Sequence, residues 1–214
     1  MFDRAKYKKS ALNTLHNNWG VPCLISIVYL ALSGLSNFGT LPLSVCVSGI
    51  MSVGIIFTFM KMISLSLSLG GTSPEKYENI SFNTFLQGLE EHWLNALLGS
   101  LWNFLWVFLW SLLFFIPGIV KYYSYSMMFY VMAENPKISA MKAMDISKIL
   151  TSGHKSDLFV MDLSFLGWAF LSMLCGGIGF IWLYPYTHMS KTYAYFDLKR
   201  MAFSQNKLSP ADFE

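Results

Sequence analysis

The stretch "LFVMDLSFLGWAFLSMLCGGIGFIWLYPYTHMSKTYAYFDL", residues 158–198, decides the fold. Its first arm, Leu158 to Cys175, carries a single charged residue, Asp162, and turns through "GGIG" into a second arm rich in Tyr and Thr. A helix needs about 20 predominantly apolar residues to cross a hydrocarbon core about 30 Å thick, so Asp162 tests whether this arm can insert. An aspartate at mid-membrane costs about 2.5–3.5 kcal/mol, while each Leu, Phe or Val returns about 0.3–0.6. Nine such residues between Leu158 and Leu174 return roughly 3–5 kcal/mol in total. The arm is therefore expected to insert, with its carboxylate in need of a partner.

The whole chain has the same character. Of its 214 residues 54% are hydrophobic and 17% aromatic, and only 13% are charged, about half the usual share of a soluble domain. Too few charges remain to clothe a water-facing surface, which implies a polytopic membrane protein. Six segments read as spanning helices: 20–37, 43–65, 93–115, 118–134, 158–175 and 179–198. The fourth and sixth are rich in Tyr and Ser or Thr, and each contains a lysine. The basic start "MFDRAKYKKS" is followed by no short apolar run with a cleavage site, so it reads as a retained cytoplasmic segment.

Charge placement supports all six segments. With the N-terminus inside, the outer turns are "NFGTLP", the region around "IPG", and "GGIG", none of which contains Lys, Arg, Asp or Glu. Twelve of the fifteen basic residues then lie on the cytoplasmic side, in line with the excess of Lys and Arg in short inner loops. The other three are Lys61, Lys121 and Lys191. The expected architecture is thus all-α: a single membrane domain over 1–214, with six transmembrane helices in three hairpins, each preceded by a cytoplasmic amphipathic helix.

The hairpins suggest an internal repeat, about 3–70, 80–136 and 137–202. Its junctions "NNWGVPCLI", "EHWLNALLG" and "GHKSDLFVM" align Asn18 with His92 and His154, and Trp19 with Trp93 and Lys155. Gly54, Gly118 and Gly179 begin the corresponding stretches of the second helices, the first from inside its helix rather than at a clear turn. The alternative is that any membrane hairpin has an aromatic edge and a glycine turn. Ahead of the second unit, Phe82, Phe85, Leu86 and Leu89 form one helical face. Such a stretch, like 5–15 and 138–150, can lie on an anionic inner leaflet or pack on its own bundle.

Ionisable side chains inside spans are costly and usually face a bundle interior. The candidate polar site is Lys61, Lys121, Asp162, His188 and Lys191, with Asp197 near an end. Counted from the three glycines, the lysines lie 7, 3 and 12 residues along, a staggered ladder that could line a path or hold an anionic headgroup. Snorkelling, with pairing to Asp162, is the plainer reading. Trp19, Trp93, His154 and Lys155 are candidate interfacial anchors. At the start of the fifth segment, Gly153 is expected to end the preceding helix, and Ser156 or Asp157 to cap the next.

Catalytic signatures are missing: there is no G-x-S-x-G elbow, H-E-x-x-H or P-loop. The four histidines and three cysteines show no zinc spacing. The Asn79 sequon falls inside and carries no meaning there. No cofactor, metal or nucleic acid is implied.

"IPG" at 116–118, "YS" at 125–126, "GHK" at 153–155, "LSFLGW" at 163–168, "PY" at 185–186 and the opening "NNWG" occur in order. With these motifs nearly the whole chain, most strongly from residue 111, resembles the bacterial integral membrane family known as domain of unknown function 975. The resemblance implies a multi-pass protein of the bacterial cytoplasmic membrane with no assigned activity or catalytic residue. It also implies a distant similarity to the membrane domain of glycerophosphodiester phosphodiesterases, and hence a lipid-related role. The leading expectation is a non-enzymatic membrane protein, with both termini cytoplasmic, that binds a lipid, a peptide or a partner membrane protein, itself included. The alternative is a small transporter or channel lined by the lysines and Asp162.

Overall fold

A computed structural model of the chain describes residues 2–16, 18–36, 41–68, 82–113, 115–135 and 137–213. Most of "NFGTLP", Lys76 and the Asn79 sequon lie outside the described residues. Every regular element among the described residues is helical.

Helix α1, Arg4–Leu15, starts where the Asp3 carboxylate accepts from the Lys6 amide at 3.1 Å, which satisfies one of the open amides of a helix start. Tyr7, Ala11, Thr14 and Leu15 are buried at the spacing of one helical face. That face meets the last long helix: Thr14 Oγ1 lies 2.6 Å from the Tyr193 hydroxyl, and the Tyr7 hydroxyl donates to Asp197. Of the two roles open to the basic N-terminal stretch, the structure shows packing on its own bundle. Helix α2, Gly20–Ser36, leaves α1 at a bend of 104°.

Helix α3, Leu41–Ser68, packs along α4, Phe82–Leu113. The contact is close where side chains are small: a Cβ on Gly49 would strike Ser100 Cβ and stand 3.3 Å from the Ala96 carbonyl oxygen. The amphipathic stretch before the third segment is not a separate helix, as the sequence reading had it, but the first part of α4. Phe85, His92 and Ala96 are buried on one continuous stripe, and no Gly or Pro separates Glu91 from Trp93 to break it.

The fourth segment is split into α5, Phe115–Tyr125, and α6, Met128–Glu134. Gly118, expected at a turn, lies within α5; Gly54 lies within α3 against Phe85 and Leu89; Gly179 alone of the three caps a helix. The glycines thus mark no common depth for the lysines. Helix α7, Ala140–Leu150, begins at Ser139, whose hydroxyl accepts from the Lys142 amide at 3.3 Å. It ends before Gly153, which takes φ +87° as the close of a helix requires.

Helices α8, Lys155–Leu174, and α9, Phe180–Ser204, form the last hairpin. The cap of α8 differs from expectation. The helix starts two or three residues earlier, with His154 at the cap and no side-chain bond to the helix amides. Asp157 sits in the first turn and accepts from His154 Nδ1 at 3.1 Å, where a carboxylate favours the helix start electrostatically. A short 3₁₀ turn, Pro210–Phe213, closes under α9, with Lys199 Nζ 4.0 Å from the Phe213 ring centre.

By length and composition, two helical stretches among the described residues can cross a membrane: Ser44–Ser66 of α3, and α8. The bent pair of α1 and α2 makes a third if it counts as one span. The described residues therefore supply two or three candidate spans and do not clearly supply the six expected.

Candidate functional site

Helix α8 buries a narrow line of Leu158, Met161, Phe165 and Ser172 and leaves most of its perimeter exposed. Asp162 borders that line. The turn to α9 passes through Gly176 and Gly177, with φ +67° and +84°, a left-handed pair that glycine adopts without steric cost. A Cβ on Gly179 would come within 2.8 Å of Ser172 Cβ, so the arms pack closely at the turn. Asp162 lies fourteen residues before Gly176 and Lys191 fourteen after Gly177. In an antiparallel hairpin such residues come level, and here Lys191 Nζ lies 2.8 Å from Asp162 Oδ1 and 3.1 Å from Oδ2. From α5 the Tyr123 hydroxyl donates to Asp162 Oδ2 at 3.2 Å.

The break between α5 and α6 faces the same region. Two of its backbone groups are satisfied from α7: the Ser147 hydroxyl donates to the Ser124 carbonyl at 2.8 Å and accepts from the Met127 amide at 3.2 Å. Thr151 Oγ1 adds a 3.4 Å contact to the same carbonyl. Ser147 and Thr151 are fully buried, so without these bonds the break would leave polar backbone unpaired, which is costly. Of the two roles open to the amphipathic stretch 138–150, the structure shows packing on its own bundle, where α7 satisfies the backbone of a discontinuous helix.

Between the break and the ion pair lies a cavity of about 170 Å³, lined by Ser52, Asn103, Tyr123, Ser126, Asp162 and Lys191 among others. Asn103 Oδ1 has no hydrogen-bond partner among the described residues. The volume falls below the roughly 300–1,000 Å³ of drug-sized ligand sites but suits a few waters or a small polar group. Chemically, the site can hold such a group against a neutralised charge pair. Among the described residues, no cluster of three or more His, Cys, Asp or Glu could hold a metal.

The remaining candidates are dispersed. Lys61, on α3, donates to Gln87 Oε1 at 3.1 Å and lies 4.5 Å over the Phe57 ring. Lys121 borders a different cavity, of about 230 Å³, with Trp102, Trp106 and Asp145. The His188 ring lies 4.4 Å from that of Tyr184 with the planes tilted by 47°, and its Nδ1 lacks a partner among the described residues. Asp197 accepts from Tyr7 and pairs with Arg200 at 3.1 Å. Of the anchors, Trp93 is 53% exposed, Trp19 walls an apolar groove, His154 stacks on Phe2 at 5.8 Å, and Lys155 opens α8. The structure thus joins Lys191 to Asp162 and places Lys61 and Lys121 elsewhere. Sequence reasoning missed Tyr123, Ser147 and Thr151, and also Glu134, which accepts from Tyr195 and Lys199 at 2.6 Å each.

The break, Ser147, Asp162 and Lys191 all fall within one segment that is similar to a known family. Residues 115–202 match the family model described as protein of unknown function (DUF975). The match is narrower than the nearly whole-chain resemblance read from the motifs. No curated protein and no solved structure matches the chain. The matched segment contains the last hairpin down to Ala202 and the discontinuous helix, while α1 to α4 lie outside it.

Proposed function

We propose that the chain is a multi-pass bacterial membrane protein that acts by binding, not by turnover. The observation that carries the membrane part is α8. Only 22% of its apolar window is buried, and Leu166, Trp168, Phe170 and Leu174 are each 60–68% exposed. An apolar face of that extent marks a lipid or protein contact. The charge sorting of the loops favours six crossings with both termini inside. Among the described residues part of α3 and α8 qualify as straight spans by length and composition, so the other crossings would be made by α2, α4, the broken α5–α6 segment and α9. The binding part is supported by the satisfied Asp162–Lys191 pair and by the separation of Lys61 and Lys121 from it, which leaves no shared path. Alkaline carbonate extraction tests integration: the protein is expected in the membrane pellet, and release into the supernatant sinks the reading.

A small transporter or channel is the second reading, favoured by the α5–α6 break. Discontinuous helices build the substrate sites of many transporters. Here the reconstituted protein would show a flux that Lys61→Met or Asp162→Asn alters. A flux unchanged in both single variants and in their combination removes these residues from any path, and absence of flux removes transport.

A further inference from the structure

Asp162 and Lys191 both line the cavity of about 170 Å³ at the α5–α6 break, and each side chain remains 27% exposed. Neither is exhausted by the pair. An ammonium has three N–H donors and a carboxylate about four acceptor sites, whereas among the described residues their partners are each other and the Tyr123 hydroxyl. The wall around them is aromatic, with Tyr123, Tyr125, Phe129 and Tyr130, and an aromatic face attracts an ammonium. A second cavity, of about 270 Å³, adjoins the first and shares Ser52, Asn103, Tyr122 and Phe129 with it. Asn103 thus borders both, with its Oδ1 buried and without a partner among the described residues. Beyond it the second cavity is faced by Val45, Phe104 and Val107.

We propose that the two cavities seat a small dipolar ion, an α-amino acid with an apolar side chain, its ammonium on Asp162 and its carboxylate on Lys191. The proposal rests on the binding reading above and names the ligand class. The pair carries no net charge, so a lone anion or cation is attracted by one member and repelled by the other. It would also bring an unneutralised charge into a partly dehydrated site, which is costly. A dipolar ion laid antiparallel to the pair meets each charge with its opposite and adds no net charge. An α-amino acid holds its two charges on one carbon, at a spacing comparable to the 2.8 Å between Lys191 Nζ and Asp162 Oδ1. The Asn103 amide, turned about its last torsion, presents an oxygen acceptor to the ammonium. The apolar end of the second cavity takes the side chain.

Scintillation proximity with tritiated L-leucine, on the full chain in nanodiscs of phosphatidylglycerol, a lipid without an ammonium group, reads the site directly. Saturable retention is expected. Unlabelled leucine should displace it, and isoamylamine and isocaproate, which each keep one of leucine's two charges, should do so about tenfold less well, the equivalent of one charge-assisted hydrogen bond. The double variant Asp162→Leu/Lys191→Met strands no charge, so it is expected to keep its fold and to bind about tenfold or more weakly. Asn103→Ala is expected to weaken binding about fivefold, which keeps the test valid where the double variant fails to fold. Absent retention, a one-charge analogue that competes as well as leucine, or undiminished binding in the variants overturns the proposal. Retention that phosphatidylethanolamine in the nanodisc abolishes also overturns it, and gives the site to a lipid headgroup. Carbonate extraction of the same protein separates the failures: a protein that stays in the pellet but retains no leucine loses the site alone, whereas a released one loses the membrane reading whatever it binds.

Discussion

Removing one partner of the Asp162–Lys191 pair is expected to cost far more than removing both. In Lys191→Met the Asp162 carboxylate keeps only the Tyr123 hydroxyl, at 3.2 Å, and loses an ammonium 2.8 Å away. Breaking a fully buried pair costs about 3–5 kcal/mol. Each side chain is 27% exposed, which screens part of the charge left behind and brings the expected loss to about 2–3 kcal/mol. For a chain of this size, that corresponds to a fall in Tm of about 5–10 °C. Asp162→Leu should cost a similar amount, because it strands the lysine. The double variant Asp162→Leu/Lys191→Met strands nothing and places apolar side chains where the desolvation cost had been, so it should lie within about 1 kcal/mol of the wild type. Thermal unfolding of the four proteins in one detergent closes the cycle, with an expected coupling of about 4–6 kcal/mol, the sum of the two single losses less the small effect of the double variant. Additive losses, with the double variant the least stable of the four, would refute the pairing.

Ser147→Ala removes both bonds that Ser147 makes to the α5–α6 break, leaving the 3.4 Å contact of Thr151 to the Ser124 carbonyl, and strands the Met127 amide, so a loss of about 1–3 kcal/mol is expected. Hydrogen exchange should rise at Met127 and its neighbours first, and an unchanged melting temperature would show that the break needs no such support. A separate test concerns pH. Burial and the bond to Asp197 raise the Tyr7 phenol above its ordinary value near 10. The folded protein therefore keeps this proton where the unfolded chain releases it, and stability from this group is full below pH 10 and falls as pH rises beyond it. Tyr7→Phe should flatten that alkaline limb while lowering stability at neutral pH, and an equally steep limb in the variant would count against the assignment.

The helical class, the apolar arms of the last hairpin and the need of Asp162 for a cation were all legible in the sequence, because each depends on local composition or period. The partner itself was legible too. Equal counts from the two glycines of the turn place Lys191 opposite Asp162, a signal that measuring each lysine from Gly54, Gly118 and Gly179 obscured, since those glycines play different roles. The α5–α6 break was not legible: "YYSYSMMFY" holds neither Gly nor Pro, and the bonds that hold it come from Ser147 and Thr151, 20 to 27 residues later. The fusion of the stretch from Phe82 with the third segment was hidden for a related reason. An amphipathic stripe against lipid and one against α3 have the same period, and only the neighbour tells them apart.

The left-handed turn at Gly176 and Gly177 gives the last hairpin the property of a vernier. One residue added to or removed from either arm between the turn and the pair would rotate that arm by about 100° and shift it about 1.5 Å, carrying one charge away from the other while leaving hydropathy nearly unchanged. A change of length too small to disturb insertion would therefore be registered in this hairpin as a stranded charge.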